Sequence, residues 1–251
     1  MAGIAVTGSA SGIGAATRAL LEADGQRVIG VDLRDAEVEA DLGTAPGRAE
    51  AVAAVLAACD GTLDGYAGFA GVPATVEPPS LLVNVSYFGS TAMLDGLRPA
   101  LARGGSTSAV AVSSCAATVA PVDDALVDAC LAGDESAAAA LEVRGGVAYA
   151  SVKLALGRWV RRNAPAWAAD GVRLNALAPG NTRTPLTKVT LDDPELGPLM
   201  REVPVPVGHW AEPNEIAAAA RWMLSEGSSF MVGSVLFVDG GTDALVRPDK
   251  F

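Results

Sequence analysis

Tyr149-Ala150-Ser151-Val152-Lys153 sets a phenol and a primary amine four residues apart, about one helical turn. The surrounding run Val147–Val160 is rich in Ala, Leu and Val, as a helix would be, so both side chains should share one face. An ammonium beside a phenol favours the phenolate, and the phenol's ordinary pKa of about 10 is expected to fall. Such a pair could exchange a proton with an alcohol or carbonyl oxygen near neutral pH. Tyr and Lys at this spacing are more often a packed ring and a solvated amine. The chemical reading therefore depends on what else the chain carries.

A second group of residues suits a phosphate. Thr7-Gly8-Ser9-Ala10-Ser11-Gly12-Ile13-Gly14 lies between an apolar strand-like run and a helical pattern. Glycines there let the turn close and let backbone N–H groups approach a pyrophosphate at the positive end of the helix. Asp32 ends the next strand-like run, where a carboxylate can accept both ribose hydroxyls of an adenosine and repel a 2′-phosphate. Leu33 beside it carries no charge, so NAD is favoured over NADP, with Arg34 the one nearby cation that argues otherwise. Asp41-Leu42 ends the third strand, where a carboxylate can meet an adenine amino group.

The elements that would position these groups alternate along the chain. Strands are expected at Ile4–Thr7, Arg27–Asp32, Val38–Asp41, Leu63–Ala70, Ser108–Ser113, Val172–Ala178 and Ser234–Val238. Helices are expected at Ile13–Ala23, Pro46–Cys59, Ser80–Ala102, around Tyr149 and at Glu215–Leu224. That alternation predicts βαβ units, a parallel sheet and an α/β fold in one domain over residues 1–251. Pro165 should kink or end the Tyr149 helix. Within Val119–Gly146, Asp123–Ala132 and Asp134–Val143 read as a helical hairpin broken at Gly133. Pro179–Pro213 reads as irregular, and Thr187–Gly208 within it as a lid.

Composition narrows the classes. The 251 residues are 50% hydrophobic, with a net charge of −11 that opposes a sequence-independent nucleic-acid binder. No run reaches the roughly 18 apolar residues of a membrane span. The start of the chain, Met1 to Gly8, lacks a basic leader, so a cytoplasmic protein is expected. Cys59, Cys115 and Cys130 form neither a metal pattern nor a disulfide framework, and His209 is the one histidine. Multi-histidine metal sites are thereby excluded, no metal is expected, and His209 reads as structural or surface.

Gly8, Gly12 and Gly14, then Ser114, then Tyr149 and Lys153, then Pro179-Gly180 occur in the order found in the short-chain dehydrogenase/reductases, which the chain resembles over nearly its whole length, down to Val238-Asp239-Gly240-Gly241. Within them it is similar to the bacterial 3α-hydroxysteroid dehydrogenase/carbonyl reductases. That narrower likeness rests on Gly12–Arg18, Arg34–Val38 with Ala40-Asp41-Leu42, Tyr87-Phe88-Gly89, Gly171–Asn175, the hairpin before Tyr149, and Arg247-Pro248 with Phe251. The resemblance implies a doubly wound Rossmann fold with strand order 3-2-1-4-5-6-7, and NAD as cofactor. It implies Tyr149 as acid/base, Lys153 lowering its pKa and holding the nicotinamide ribose, and Ser114 rather than Ser113 binding the substrate oxygen. Pro179, Gly180, Thr182 and Thr184 would meet the nicotinamide carboxamide and phosphates, and Ala70 and Gly71 would pack beside the adenosine.

One departure bears on the chemistry. The family's catalytic Asn lies three residues before the glycine matched to Gly89, and that position is Ser86; Asn84 would serve only if the register shifts. The resemblance implies an NAD-dependent interconversion of a secondary alcohol and a ketone, a 3α-hydroxysteroid or other lipophilic carbonyl compound. A dinucleotide-sensing binding protein, or an epimerase or dehydratase of the same fold, are the alternatives. The apolar residues of the lid, Leu191, Leu196, Leu199, Met200, Val203, Val205 and Val207, would either face a bulky substrate or pack on the sheet, with Met200 and Trp210 as candidate pocket lining. Relatives associate through the long helix and the Tyr149 helix. The hairpin would obstruct that packing and leave a homodimer through the last strand and helix, a tetramer being the alternative.

Overall fold

The computed structural model describes residues 2–250; Met1, and Phe251 of the tail cited above, lie outside the described residues. In chain order the elements are β1 (Ile4–Thr7), α1 (Gly12–Ala23), β2 (Val28–Asp32), β3 (Val38–Glu39), α2 (Ala45–Ala58), β4 (Gly65–Gly68), α3 (Pro79–Val83), α4 (Ser90–Arg103) and β5 (Thr107–Val112). There follow α5 (Ala116–Val119), α6 (Asp124–Ala132), α7 (Glu135–Ala140), α8 (Gly145–Ala169), β6 (Val172–Pro179), α9 (Pro185–Asp192), α10 (Leu196–Glu202), α11 (Pro213–Leu224), β7 (Val235–Val238) and α12 (Thr242–Val246). The strands form one parallel sheet in the order β3-β2-β1-β4-β5-β6-β7, as the resemblance implied.

Central strands are buried on both faces, which is why Ile4–Thr7 reads as a continuous rather than alternating run, and why Arg173 and Asn175 in β6 are buried with hydrogen-bond partners. Register sets the functional edge. Thr7 lies beside both Val31 and Gly68, so Gly8, Asp32 and Phe69 emerge from the sheet at one level. Ala111 lies beside Gly68 and Ala176, which brings the chain after β5 and β6 out at the same carboxyl edge.

The hairpin forms as its turn chemistry dictates. Asp123 accepts from Leu126 N at 2.8 Å to open α6, Gly133 closes it at φ 74°, and Asp134 accepts from Ala137 N at 2.9 Å to open α7. The second helix ends at Ala140, short of the expected Val143. α6 packs along α8 with Leu126, Val127 and Cys130 buried.

Three expectations need correction. Pro165 does not end the Tyr149 helix, because Trp167 beyond it is fully buried and packs edge-on against Trp159 at 6.2 Å, holding the last turn in place. The long helix is not uniformly α: Asn84–Gly89 between α3 and α4 is a π-helical turn. The stretch read as irregular contains α9 and α10. Thr184 caps α9 by accepting from Thr187 N at 3.1 Å with Pro185 at the first helical position, and Asp193 opens α10 by accepting from Leu196 N at 2.8 Å. Pro185 and Pro213 start helices rather than break them.

Candidate active site

A cleft runs along the carboxyl edge of the sheet, and, Asn84 apart, every residue singled out above as catalytic or cofactor-binding lines it. At one end is the glycine turn. Gly8 and Gly12 have φ of 67° and 54°, a left-handed backbone that side chains disfavour. A Cβ on Gly14 would stand 2.0 Å from the Gly8 carbonyl oxygen, so only glycine lets α1 start so close to β1. Ser11, the residue before α1, makes no side-chain capping bond and lines the cleft with Ile13.

Asp32 does two things. Its Oδ2 accepts from Ala10 N at 2.9 Å and its Oδ1 from Leu33 N at 2.8 Å, which ties the glycine turn to the end of β2. Leu33 is exposed at the rim. Farther along, Asp41 Oδ1 accepts from Gly43 N at 2.8 Å, while Leu42 is buried and lines the cleft with Ala70 and Gly71.

The other end of the cleft holds the titratable group. The Ser114 hydroxyl lies near enough to the Tyr149 phenol to favour the phenolate, and its oxygen accepts from Ala116 N at 3.2 Å. Ser113 points elsewhere, donating to the Lys153 carbonyl at 2.8 Å and fixing α8 against β5. Of the two serines, the geometry brings Ser114 to Tyr149. Lys153 Nζ lies 5.7 Å from the Tyr149 ring centroid and donates to the Val112 carbonyl at 2.8 Å. That carbonyl and the Ser113 hydroxyl position the lysine, and neither has a sequence signal beyond lying at the end of a strand.

The expected fall in the phenol's pKa is not found. Burial dominates and raises Tyr149 to about 12, against the opposing effect of Ser114. The same burial lowers Lys153 to about 8. The phenol is therefore neutral and a proton donor at neutral pH, and the amine remains mostly an ammonium that loses its proton more readily than a free lysine.

The structure separates Ser86 from Asn84. Ser86 is fully buried on the π turn and lines the cleft opposite Gly71, whose added Cβ would stand 3.6 Å from Ser86 Oγ. Its hydroxyl has no hydrogen-bond partner within the protein. Asn84 does not line the cleft, and its Oδ1 is buried without a partner.

Pro179 and Gly180 follow β6, where a Cβ on Gly180 would stand 2.6 Å from Asp239 Cα. Thr182 is buried and donates to the Gly180 carbonyl at 3.0 Å. Thr184 packs back on the glycine turn, its Cγ2 3.3 Å from where a Cβ on Gly12 would be. The segment that leads into α9 thus starts against the glycine-turn end of the cleft. Met200 and Trp210 do not line it, and His209 is exposed, with Nε2 3.3 Å from Glu215.

Comparisons with known proteins agree with this geometry. Residues 8–243 match the family model described as enoyl-(acyl carrier protein) reductase. The chain is 43% identical to the 3-alpha-hydroxysteroid dehydrogenase/carbonyl reductase of Comamonas testosteroni over 99% of both chains. It is 32% identical to a 2,5-dichloro-2,5-cyclohexadiene-1,4-diol dehydrogenase of Sphingobium indicum over 96% of this chain and 97% of that one. Its fold matches the crystal structure of the 3-alpha-hydroxysteroid dehydrogenase from Pseudomonas sp. B-0831 complexed with NADH, with a TM-score of 0.96 and 48% identity over 99% of each chain. Among the described residues no helix is long and apolar enough to cross a membrane. The glycine turn, the serine beside a phenol and these full-length likenesses agree: the chain belongs to the short-chain dehydrogenase/reductase family.

Proposed function

We propose that the protein is an NAD-dependent oxidoreductase that interconverts a secondary alcohol and a ketone, with 3α-hydroxysteroids or similarly lipophilic carbonyl compounds as substrates. The observation that carries this is the convergence of Ser114, the Tyr149 phenol and a buried Lys153 at the far end of a cleft that begins at the glycine turn. The cleft fits a dinucleotide: backbone with no Cβ lies where phosphates would pass, Ser11 has a free hydroxyl there, and the Asp32 carboxylate is at the ribose end. NAD supplies a hydride acceptor at the nicotinamide ring.

The chain's own residues handle the proton and the geometry. Ser114 and Tyr149 both offer hydroxyl hydrogens to a carbonyl oxygen, and the negative charge developing on that oxygen during reduction strengthens both bonds. A phenol held neutral is ready to give its proton to that oxygen. In the oxidative direction the phenol must take a proton, so the phenolate is needed, and the Lys153 ammonium favours it. Lys153, which shares the cleft with Tyr149, would also donate to ribose hydroxyls, and Ser86 offers an unspent hydroxyl to a proton path on the Gly71 side.

The lid supports a lipophilic substrate. Leu191, Leu196, Leu199, Met200, Val203, Val205 and Val207 are all outside the buried core, apolar surface that a poorly hydrated substrate would cover, and none of them lines the cleft in this structure. Leu196 reaches back to Gly145 and Gly146 at the start of the Tyr149 helix. The quaternary reading is a homodimer through β7 and α11. β7 is a half-exposed edge strand, Phe230 next to it is fully exposed and Trp222 is half-exposed, whereas α6 covers part of α8.

The experiment is a panel of hydroxysteroids and simple secondary alcohols with NAD and NADP side by side, read as absorbance of the reduced cofactor. NADH formation with 3α-hydroxysteroids, and much less with NADP, is expected. Binding of NADH without turnover of any alcohol would favour a dinucleotide sensor, and substrate conversion without net NADH an epimerase or dehydratase.

A further inference from the structure

Arg48, at the end of the first turn of α2, is a buried cation away from the reacting groups. Its guanidinium joins three segments far apart in the chain. Nε donates to the Leu42 carbonyl at 2.9 Å and Nη2 to the Gly43 carbonyl at 3.4 Å. Nη1 and Nη2 donate to the two carboxylate oxygens of Glu135 at 2.8 and 2.5 Å, a bidentate pair with the first residue of α7. The guanidinium also lies 6.0 Å from the ring centroid of Phe88, on the π turn that carries Ser86.

Leu42 lines the cleft, and Arg48 holds its carbonyl from behind. The loop is tight on its other sides as well. A Cβ on Gly47 would stand 2.2 Å from the Asp41 carbonyl oxygen, and one on Gly89 would stand 3.0 Å from that of Leu42. The Asp41–Gly43 backbone has little room to change shape while Arg48 keeps its bonds. A buried guanidinium needs an anion to satisfy it, and the anion comes from the hairpin, not from the dinucleotide-binding half of the fold.

We infer that the Arg48–Glu135 pair is a positioning brace through which the helical hairpin holds the Asp41-Leu42 loop in the shape that receives the adenosine end of the dinucleotide. The inference rests on the NAD-binding reading above. Arg48 and Glu135 are positioning residues, because they act through Leu42 and Gly43.

Glu135 is half-exposed, so Glu135→Ala should fold even where loss of Arg48 would not. In a fluorescence titration, Glu135→Ala is expected to raise the NADH dissociation constant about three- to tenfold, with kcat at saturating cofactor within about twofold of the parent. Glu135→Gln, which keeps an acceptor oxygen, should fall between the two. In hydrogen exchange, NADH should protect the amides of residues 135–140 in the parent and lose that protection in Glu135→Ala. A Glu135→Ala protein that binds NADH like the parent would overturn the inference, even with a lower Tm, since the pair would then be structural only. A parent that does not bind NADH at all would instead remove the reading on which the inference rests.

Discussion

Replacing Lys153 by methionine should abolish turnover and yet leave the protein at least as stable at neutral pH. The lysine is only 6% exposed, and burial takes its pKa from 10.5 to about 8. A base whose folded pKa lies below its unfolded one binds protons more weakly when folded. The cost of keeping it charged is fully present below pH 8, shrinks as the pH rises, and is gone above about pH 10.5. That difference corresponds to about 3 kcal/mol at pH 7. Against it stands the Lys153 bond to the Val112 carbonyl, whose loss leaves a buried acceptor without its partner and costs about 1 to 2 kcal/mol. Methionine has similar length and no charge, so Lys153→Met is expected to gain about 1 to 2 kcal/mol at pH 7, or about 4 °C in Tm for a chain of this size. The assay is denaturant unfolding of both proteins without dinucleotide, repeated from pH 7 to pH 10. The advantage of the variant should narrow as the pH climbs past 8. A variant less stable than the parent at pH 7, or a gap independent of pH, would refute the claim that the buried ammonium is strained.

Two further outcomes follow from the same site. Ser86→Ala removes a fully buried hydroxyl with no partner in the protein, so unfolding should show unchanged or slightly higher stability, by up to about 1 kcal/mol, while kcat falls several-fold if the hydroxyl serves a proton path; unchanged kcat would remove Ser86 from the mechanism. Asp32→Ala removes both the anchor of the Ala10 amide and the charge that repels a 2′-phosphate, so KM for NAD should rise about tenfold or more and the preference over NADP should shrink, and kinetics with both cofactors check it.

Much of this was legible in the chain, for physical reasons that can be named. Fully buried parallel strands give continuous apolar runs, and Asp123, Gly133 and Asp134 write the hairpin's caps into the sequence. Tyr149 and Lys153 share a helix face because four residues is nearly one turn. Other features depend on tertiary context. The direction of the Tyr149 pKa is set by burial, which no local pattern reports. The π turn at Asn84–Gly89 carries no signal of its own, yet it decides that Ser86 and not Asn84 lines the cleft. Thr184-Pro185 is a legible helix start, but a run of prolines obscured it. Arg48 and Glu135 are 87 residues apart, and nothing in either segment announces the other.

In the proposed mechanism the Tyr149 phenol passes the proton at an oxygen held by Ser114. Tyr149→Phe tests it most directly, with NADH affinity measured by fluorescence and turnover of a 3α-hydroxysteroid measured on the same preparation. NADH binding within about twofold of the parent and a loss of kcat of about a thousandfold or more are expected. Near-normal turnover in a variant that still binds NADH would rule out Tyr149 as the group that passes the proton.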